Sequence, residues 1–483
     1  MKNLFFEKQK NRIFYDGQYT YENESCVLVY EGEVYYENEI LTAEELCSYL
    51  LGGGRVESLD GLFCLVMYEK ETERLFATQD AFSYFHPLYF AETEGGLVLS
   101  LGMRELIKKA NITPKINDSY IPEFLYNGFL TDDRCLISGI RKLPALHNLK
   151  WDFLSGEWNY VKKRQFRETG LGGDYCELLS CQIEKELCNT DEINMALSSG
   201  FDSNLILHII TSLKPKCKIN CFCIGSQVGS DETEAVKAIC KEYPNVNLTV
   251  QKVTPDILKS FPKMVCELED SVFERGIFLQ YMLSEAMVDY KENPTFFGEG
   301  ADQLLSSQLR FYADPYYYVG IEQHYPWVYF PYEMLTYIIL KKNGIFLRNR
   351  DIKAKYPFIS AKFILGVSAY RELNGTDKKH YKDYILNLVS PTVAERLVKQ
   401  PGSTNLSSLF DESNKEKLFR AAKTSRFYPM LTGQPDRDSG SEVEMDNCLK
   451  IIYLMLFEKI FCSCEPSLSE DSVCSVRMED ILD

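Results

Sequence analysis

The chain has 483 residues, enough for two or three domains of roughly 100 to 200 residues, each with its own core. Hydrophobic residues make up 45% and charged residues 25%, a globular composition that excludes a fibrous or intrinsically disordered chain. The excess of 70 acidic over 53 basic residues gives a net charge of −17, which repels a phosphate backbone. We therefore expect a soluble protein and exclude nucleic acid as its default partner.

The apolar runs and the N-terminus point to a protein that stays in the cytoplasm. The longest apolar runs, such as Ile451–Phe457, fall well short of the roughly 20 residues that span a bilayer. Near the N-terminus only three apolar residues precede the charged Glu7, so we expect neither a secretory signal nor a membrane segment. The 16 cysteines are then expected to be reduced. The C-x-C pairs at Cys221 and Cys462 lack the spacing and the histidines of a zinc site, and we predict no structural metal.

Short strand-like runs dominate the first 165 residues. These runs are Cys26–Tyr30, Glu33–Tyr36, Phe63–Tyr68, Leu75–Thr78 and Leu97–Ser100. Turn residues such as Asp60-Gly61 and Gly95-Gly96 separate them. The pattern predicts an antiparallel, β-rich domain with few helices over residues 1–165.

From about residue 170, strand-like and helical stretches alternate. The pairs are Ile193–Leu197 with Ser203–Ser212, Ile219–Ile224 with Glu232–Glu242, Val246–Val250 with the segment after Pro255, and Thr295–Phe297 with Asp302–Leu309. Repeated βα units predict an α/β fold with a doubly wound parallel sheet and a ligand site at the carboxyl ends of its strands. After an exposed loop over Thr432–Ser441, a helical tail is predicted to end in the apolar stretch Cys448–Phe461.

A turn of small polar residues follows the first of these strands, in the sequence Met195-Ala-Leu-Ser-Ser-Gly-Phe-Asp-Ser-Asn-Leu205. Backbone N–H groups at the start of the next helix, together with the hydroxyls of Ser198, Ser199 and Ser203, would form a nest for phosphate oxygens. Asp202 beside a phosphate requires a bridging cation, which predicts a magnesium ligand. The alternative is an ordinary capped βα turn, because Ser and Asp are common at helix starts.

A second polar loop, Phe296-Phe-Gly-Glu-Gly-Ala-Asp-Gln-Leu304, follows the fourth strand of the same sheet. Gly298 and Gly300 let the backbone approach a ligand closely. Since both strand ends open onto the same crevice, Asp302 is expected to share a magnesium ion with Asp202. Glu299 is then left to act as a base. The alternative is an acidic helix start that is stabilised by the helix dipole.

These two loops resemble motifs of a known family. Ser198–Ser203 is similar to the pyrophosphate-binding Ser-Gly-Gly-x-Asp-Ser loop of N-type ATP pyrophosphatases, and with Gly298–Asp302 it resembles the synthetase domain of the asparagine synthetase family. Further landmarks in the same order are Phe222–Gly225, Asp231-Glu232, Tyr356–Ile359, Arg396–Lys399 and the terminal apolar helix. Similarity to the glutamine-hydrolysing half of that family lies in Gly32–Tyr35, Leu59–Phe63, Asp80, Pro87–Tyr89 and Gly139–Pro144. The resemblance implies an Ntn-hydrolase-like domain over residues 1–165 and an adenine nucleotide alpha hydrolase-like synthetase domain over residues 170–465.

One departure from the family concerns glutamine. In the amidotransferase members a cysteine follows the initiator methionine and hydrolyses glutamine, whereas Lys2 stands at that position here. Cys26 lies at the opening of a strand, so trimming the chain to expose it would delete a structural edge. We therefore expect a degenerate amidotransferase-like domain that serves as a scaffold, as in the β-lactam synthetases and lasso-peptide cyclases that the chain also resembles.

The resemblance implies ATP and Mg²⁺ as cofactors and an AMP- and pyrophosphate-forming adenylation of a carboxylate. The implied nucleotide contacts are Leu197, Ser198, Ser199, Gly200, Asp202, Ser203, Ile224, Gly298 and Gly300, and the implied metal ligands are Asp202 and Asp302. By family analogy Lys399 is the candidate for the lysine that contacts pyrophosphate. Glu299 would take a proton from the incoming amine. The β-lactam-forming members carry tyrosine there, so Glu299 argues against that subclass.

The expected partners are a small-molecule or peptide carboxylate and ammonia or an amine, with a homodimer or a partner maturation protein left open. Gln303–Gln308 and the lysines Lys353 and Lys355 depart from the family pattern, which favours a peptide or natural-product substrate, as in lasso-like macrolactam formation. The aromatic segment Phe311–Tyr337 is either a substrate wall or, as we favour, helix packing. The alternative functions are an ammonia-dependent asparagine synthetase and a non-catalytic nucleotide-binding scaffold. The excess of acidic over basic residues argues against an RNA thiolase.

Overall fold

The structure combines an antiparallel region and a parallel region. A computed structural model of the protein describes residues 4–9, 12–37, 39–80, 87–94, 96–163, 174–187, 190–226, 232–305, 335–360, 363, 378–397, 410–431, 441–462 and 476–482. Antiparallel sheets occupy the chain up to residue 163, and a parallel sheet with helices follows from residue 190. The α/β class with these two kinds of sheet is confirmed.

Two antiparallel sheets form the first region. Their strands are β1 (Phe5–Gln9), β2 (Arg12–Asp16), β3 (Tyr19–Glu22), β4 (Cys26–Tyr36), β5 (Glu39–Ile40), β6 (Asp60–Glu69), β7 (Arg74–Gln79), β8 (Tyr89–Thr93), β9 (Gly96–Ser100), β10 (Arg141–Lys142), β11 (His147–Asp152) and β12 (Trp158–Lys162). One sheet has the order β10-β8-β9-β1-β2, and the other has the order β12-β11-β7-β6-β4-β3 with β5 beside β4. The predicted antiparallel, layered domain is therefore observed.

Strand β4 shows how the sequence builds these layers. Because side chains alternate along a strand, Val27 and Val29 enter the core between the two sheets. Leu28 and Tyr30 enter a second core on the opposite face, against a helix. The runs predicted as two strands form one strand of 11 residues, which continues through Gly32 at a φ of +95°. Glycine adopts this backbone conformation without strain, so the strand is not interrupted.

The helices are α1 (Ala43–Leu51), α2 (Met103–Lys109), α3 (Ile121–Asn127), α4 (Tyr175–Leu187), α5 (Phe201–Leu213), α6 (Thr233–Lys241), α7 (Phe261–Leu268), α8 (Ile277–Met287), α9 (Ala301–Leu304), α10 (Leu340–Arg348), α11 (Lys379–Leu388), α12 (Pro391–Arg396), α13 (Glu412–Thr424), α14 (Ser441–Cys462) and α15 (Glu479–Leu482). A π-helical turn, Leu335–Ile339, leads into α10. Helix α1 begins with a capping box between Thr42 and Glu45. The predicted apolar helix is the C-terminal part of α14. The predicted loop before it lies, apart from Ser441, outside the described residues.

The parallel sheet consists of β13 (Glu192–Ala196), β14 (Lys218–Ser226), β15 (Val246–Val253), β16 (Thr295–Phe296) and β17 (Ala354–Lys355). Its order is β15-β14-β13-β16-β17, and every neighbouring pair is parallel. The chain runs outward from β13 to β14 and β15, and then returns to the other side of β13 for β16 and β17. Strand order therefore reverses between β13 and β16, which is where open α/β sheets bind their ligands.

The two regions share one apolar core. The ring of Phe124 on α3 lies 5.4 Å from the ring of Tyr453 on α14, in a cluster that also contains residues of β8, α7 and α8. The Tyr453 hydroxyl donates a hydrogen bond to the Asp270 carbonyl. From the first region, the Tyr89 hydroxyl donates to the Glu269 carbonyl at 2.7 Å. The antiparallel region is thus packed directly against the helices of the parallel region.

Ionisable side chains are buried where the two regions meet. Asp80, Lys142, Asp270 and Lys341 are all almost fully inaccessible to solvent. The Lys142 Nζ lies 2.9 Å from the Leu130 carbonyl oxygen and 3.7 Å from the Asp270 carboxylate. Burial lowers the pKa of Lys341 to about 7, although Asp270 and Asp80 oppose that shift. Lys341 therefore titrates near neutral pH in the folded protein.

We expect the free energy of unfolding to rise with pH because of Lys341. Between about pH 7 and about pH 10 the folded state has released the Lys341 proton, while the unfolded chain retains it. The free energy of unfolding of the parent, minus that of Lys341→Met, should therefore increase by about 1 kcal/mol per pH unit across the lower part of this window. Urea denaturation of both proteins at several pH values measures it. Parallel pH dependences in the two proteins would contradict the assigned titration.

Two further observations concern membranes and metals. Within the described ranges, no helix combines the length and apolar character needed to cross a bilayer. Over the same residues, no cluster of three or more His, Cys, Asp or Glu side chains is arranged to hold a metal ion.

Candidate active site

The loop between β13 and α5 is a compact network of polar contacts. Gly200 precedes the first helical residue, and its N–H donates to the Ser198 hydroxyl at 3.0 Å. The hydroxyls of Ser198 and Ser203 lie 3.2 Å apart, and the Asn204 amide donates to the Gly200 carbonyl at 2.7 Å. Two serine hydroxyls are thereby brought together at the N-terminal end of a helix, where the backbone favours anions.

Ser199 has a different environment within this loop. It is fully buried, and both its N–H and its hydroxyl donate to the Glu232 carboxylate at 2.8 Å. Glu232 lies just before α6, so this contact joins the loop after β13 to the connection after β14. Ser199 therefore fixes the shape of the loop through Glu232, and its contact with a nucleotide stays a prediction.

The loop between β16 and α9 needs its two glycines for different reasons. A Cβ atom at Gly298 would lie 3.1 Å from the Ser203 nitrogen, so glycine permits the close approach of this loop to the start of α5. Gly300 has a φ of +101°, and a Cβ atom there would lie 2.7 Å from Ile359. The two predicted loops are thus in contact with each other, and the landmark Tyr356–Ile359 packs against the second one.

Asp202 and Asp302, one from each loop, converge on a single ammonium group. The Nζ of Lys378, the residue before α11, donates to the two carboxylate oxygens of Asp202 at 2.9 and 3.0 Å and to Asp302 at 2.6 Å. Lys378 is buried, and its Nζ lies 5.1 Å from the centroid of the Tyr381 ring. The two carboxylates therefore face one crevice, and the structure adds a lysine that the sequence analysis did not identify.

Electrostatic interactions within this group favour the charged form of Lys378 but not that of Asp202. Burial opposes the charged form of Lys378, but Asp202 and Asp302 outweigh it and raise the lysine pKa. Burial also raises the pKa of Asp202, and Asp302 adds to the shift while Lys378 opposes it. When both carboxylates are ionised, two negative charges face one ammonium next to the serine hydroxyls of the loop after β13. A triphosphate would be repelled from this site unless another cation bound with it.

The donor set fits Mg²⁺ as that cation. Mg²⁺ takes oxygen ligands and usually binds one or two carboxylates together with phosphate oxygens and water. Asp202 and Asp302 supply two carboxylates that already contact one cation, the Lys378 ammonium. Magnesium binding by these two residues stays a prediction.

Glu299 lies in the same loop as Asp302 but has its own partner. Its Oε1 accepts a hydrogen bond from the Asn343 amide on α10 at 2.6 Å. Burial raises the pKa of Glu299, and the nearby Lys342 ammonium opposes that shift. Lys342 in turn forms an ion pair with Glu274 at 2.5 Å. A half-buried carboxyl with a raised pKa accepts a proton more readily than an ordinary glutamate does.

The other residues predicted from the sequence are distributed as follows. Leu197 is buried, and its N–H donates to the Phe222 carbonyl at 2.9 Å, which links the loop to β14. Ile224 is partly buried on β14. Lys399 lies outside the described residues, as does nearly all of Phe311–Tyr337. Tyr337 is described, and its ring stacks on Phe129 at 6.1 Å.

The first region was expected to lack a glutamine-hydrolysing cysteine. Lys2 lies outside the described residues. Cys26 is buried in β4, with its sulfur 2.8 Å from that of Cys47, and burial raises its pKa to about 12. A thiol with this pKa holds almost no thiolate at neutral pH, so Cys26 is a poor nucleophile.

Lys355, which departs from the family pattern, connects the two regions. Its Nζ lies 3.0 Å from Glu33 on β4 and 2.7 Å from Glu186 on α4. These two carboxylates raise the pKa of Lys355, against the opposing effect of burial. Lys355 is therefore engaged at the junction between the regions and stays charged there.

Comparison with protein families identifies both regions. Residues 39–157 match the glutamine amidotransferase domain, and residues 175–432 match asparagine synthase. The second match covers more than half of the chain. The protein therefore belongs to the asparagine synthase family, as the two loops indicated.

Individual relatives are distant. A probable glutamine-hydrolysing asparagine synthetase of Acanthamoeba polyphaga mimivirus is 23% identical over 266 residues, which are 53% of this chain and 46% of the relative. A glutamine-hydrolysing asparagine synthetase of Pongo abelii is 21% identical over 287 residues, which are 56% and 50% of the two chains. The chain thus spans about half the length of the curated relatives that it matches.

Two solved structures show only weak similarity. A U34-tRNA thiolase from Methanococcus maripaludis with its iron–sulfur cluster is 14% identical, with a TM-score of 0.27, over 65% of this chain and 94% of that chain. A glutamine-dependent NAD⁺ synthetase from Acinetobacter baumannii in complex with ADP is 11% identical, with a TM-score of 0.24, over 78% of this chain and 69% of that chain.

Proposed function

We propose that this protein is an ATP-dependent ligase that joins a carboxylate to ammonia or an amine through an acyl-adenylate, with release of AMP and pyrophosphate. The observation that carries the proposal is the convergence of Asp202 and Asp302 on one cation at the point where strand order reverses. Membership of the asparagine synthase family supports the same chemistry.

In the first step a substrate carboxylate oxygen attacks the α-phosphorus of ATP. A new P–O bond forms, and the bond to the bridging oxygen of the β-phosphate breaks, so that pyrophosphate leaves with that electron pair. The hydroxyls of Ser198 and Ser203, which lie 3.2 Å apart at the start of α5, would contact the phosphates. Mg²⁺, held by Asp202 and Asp302, would neutralise charge on the phosphates. Lys378, which contacts both carboxylates, would stabilise the departing pyrophosphate, the role expected for Lys399 from family analogy.

In the second step the amine nitrogen attacks the acyl carbon of the adenylate. The C–N bond forms, the C–O bond to AMP breaks, and one proton leaves the nitrogen. Glu299 takes this proton, which its raised pKa supports. The proposed products are an amide, AMP and a protonated Glu299 that returns its proton to solvent.

We further propose that the amidotransferase-like domain is a scaffold and that the amine is taken up directly. The described cysteines of this domain, Cys26, Cys47, Cys64 and Cys135, are all buried. A peptide or natural-product carboxylate is favoured over free aspartate because Lys355, which departs from the family pattern, forms ion pairs with Glu33 and Glu186. We place the reaction in the cytoplasm. Glutaminase activity of the purified protein would overturn the scaffold assignment.

ATP–pyrophosphate exchange with radiolabelled pyrophosphate tests the central proposal. Purified protein is incubated with ATP, Mg²⁺ and a panel of acids that includes aspartate and peptides. We expect exchange that depends on the acid and, once an amine is added, release of AMP in equal amount to the amide. Release of ADP and phosphate would contradict the adenylation chemistry. ATP binding without exchange for every acid would favour a nucleotide-binding scaffold.

A further inference from the structure

Helix α10 connects the first region to the candidate site. Although it is largely buried, polar side chains project from it toward different neighbours. Arg348 lies 3.6 Å from the Glu31 carboxylate of the first region. Asn343, on another part of the helix, contacts Glu299 in the loop after β16. Asn343 is therefore the point at which this helix reaches the proposed base.

Among the described contacts, Asn343 uses its side-chain nitrogen but not its side-chain oxygen. The residue is 1% exposed, and its amide nitrogen donates to Glu299 at 2.6 Å. Its Oδ1 is buried and accepts no hydrogen bond from the residues that the structure describes. A buried carbonyl oxygen without a donor carries a free-energy cost, so its presence beside a candidate site calls for a partner that arrives with a ligand.

The geometry of an amide group limits what that partner is. Oδ1 and Nδ2 are bonded to the same carbon, so Oδ1 lies next to the hydrogen bond between Nδ2 and Glu299. A ligand that reaches Glu299 therefore encounters two acceptors, the Glu299 carboxylate and Oδ1 of Asn343. Ammonia and primary amines carry at least two N–H bonds and can satisfy both. A secondary amine has one N–H bond and satisfies only one.

We propose that Asn343 positions Glu299 and provides, through Oδ1, the second hydrogen-bond acceptor for an incoming ammonia or primary amine. This inference rests on the proposed ligase function. During attack one N–H bond points at Glu299, which takes that proton, and a second points at Oδ1. The nitrogen lone pair is then free to form the C–N bond as the C–O bond to AMP breaks. The site selects its nucleophile by the number of N–H bonds.

The test compares adenylation with amide formation in Asn343→Leu. An acid that supports exchange in the parent is used, with ammonia, methylamine and dimethylamine as nucleophiles. In the parent we expect dimethylamine to react at least about ten-fold more slowly than methylamine. In Asn343→Leu we expect exchange within about three-fold of the parent and amide formation from ammonia lowered by about 10²-fold, in kcat and not only in KM.

Two further variants keep the result interpretable. Asn343→Asp has the same shape but loses the donor to Glu299, and we expect the same separation of exchange from amide formation. Asn349→Leu is the matched control, because Asn349 follows the same helix, also has a buried unpaired Oδ1 and donates to the Glu267 carbonyl instead. It should leave both reactions unchanged.

Each outcome discriminates. Equal losses of exchange and amide formation in both Asn343 variants would show a structural role and overturn the inference, as would unchanged amide formation. Equal rates with methylamine and dimethylamine in the parent would overturn the selection by N–H number. Failure of the ligase proposal appears separately, as an absence of acid-dependent exchange in the parent protein itself, and this inference falls with it.

Discussion

Substitution of Lys378 by methionine is expected to lower acid-dependent ATP–pyrophosphate exchange by about 10³-fold or more. Lys378 donates to both Asp202 and Asp302, and without its ammonium these carboxylates are left close together in a buried site. Like charges in such a place favour protonation of one carboxyl group, which would remove a metal ligand. The variant also loses the positive charge proposed to stabilise the departing pyrophosphate.

Initial rates of exchange measure this effect, and thermal denaturation shows whether the variant is folded. Lys379→Met is the matched control, because Lys379 is the adjacent lysine and is exposed on the first turn of α11. We expect the control to exchange at the parental rate. A Lys378→Met protein that is folded and exchanges as fast as the parent would contradict the role given to Lys378.

Glu299→Gln is expected to separate the two half-reactions. The glutamine carbonyl accepts the same hydrogen bond from Asn343, so the loop after β16 should keep its shape. Exchange should therefore stay near the parental rate. Glutamine cannot take a proton from the amine, and amide formation should fall by about 10² to 10⁴-fold.

The pH dependence of amide formation gives a second readout for Glu299. Burial raises its pKa, so the parent should lose activity as pH falls through a value above the ordinary glutamate pKa of about 4.3. This loss of activity at low pH should be absent from the residual activity of Glu299→Gln. If the variant shows the same loss at low pH, or loses exchange as strongly as amide formation, another group transfers the proton.

The periodicity of the sequence was sufficient to predict most of the parallel sheet, but not its edge strand β17 or all of the antiparallel region. Strands β13, β14 and β15 are each followed by a helical period, and they were predicted within a few residues. Strand β2 was not predicted, because it alternates exposed and half-buried residues at the edge of its sheet. Its position depends on pairing with β1, which is a long-range property of the fold.

The distinction between local sequence patterns and long-range contacts also applies to the candidate active site. The meeting of Asp202 and Asp302 could be predicted because both follow parallel strands, whose carboxyl ends share one edge of the sheet. Lys378 and Asn343 could not be predicted, since neither lies in a local motif and each reaches the site from a helix far along the chain. Lys399 was selected by family analogy, from the local landmark Arg396–Lys399, and it lies outside the described residues.

The apolar core that Phe124 and Tyr453 share has a consequence for the history of this protein. A gene that lost its first third would encode a synthetase region with a large exposed hydrophobic surface. Such a protein would be prone to aggregate. Natural selection for solubility alone would then preserve the antiparallel half, whether or not it hydrolyses glutamine. Its persistence in the chain needs no surviving glutamine reaction as an explanation.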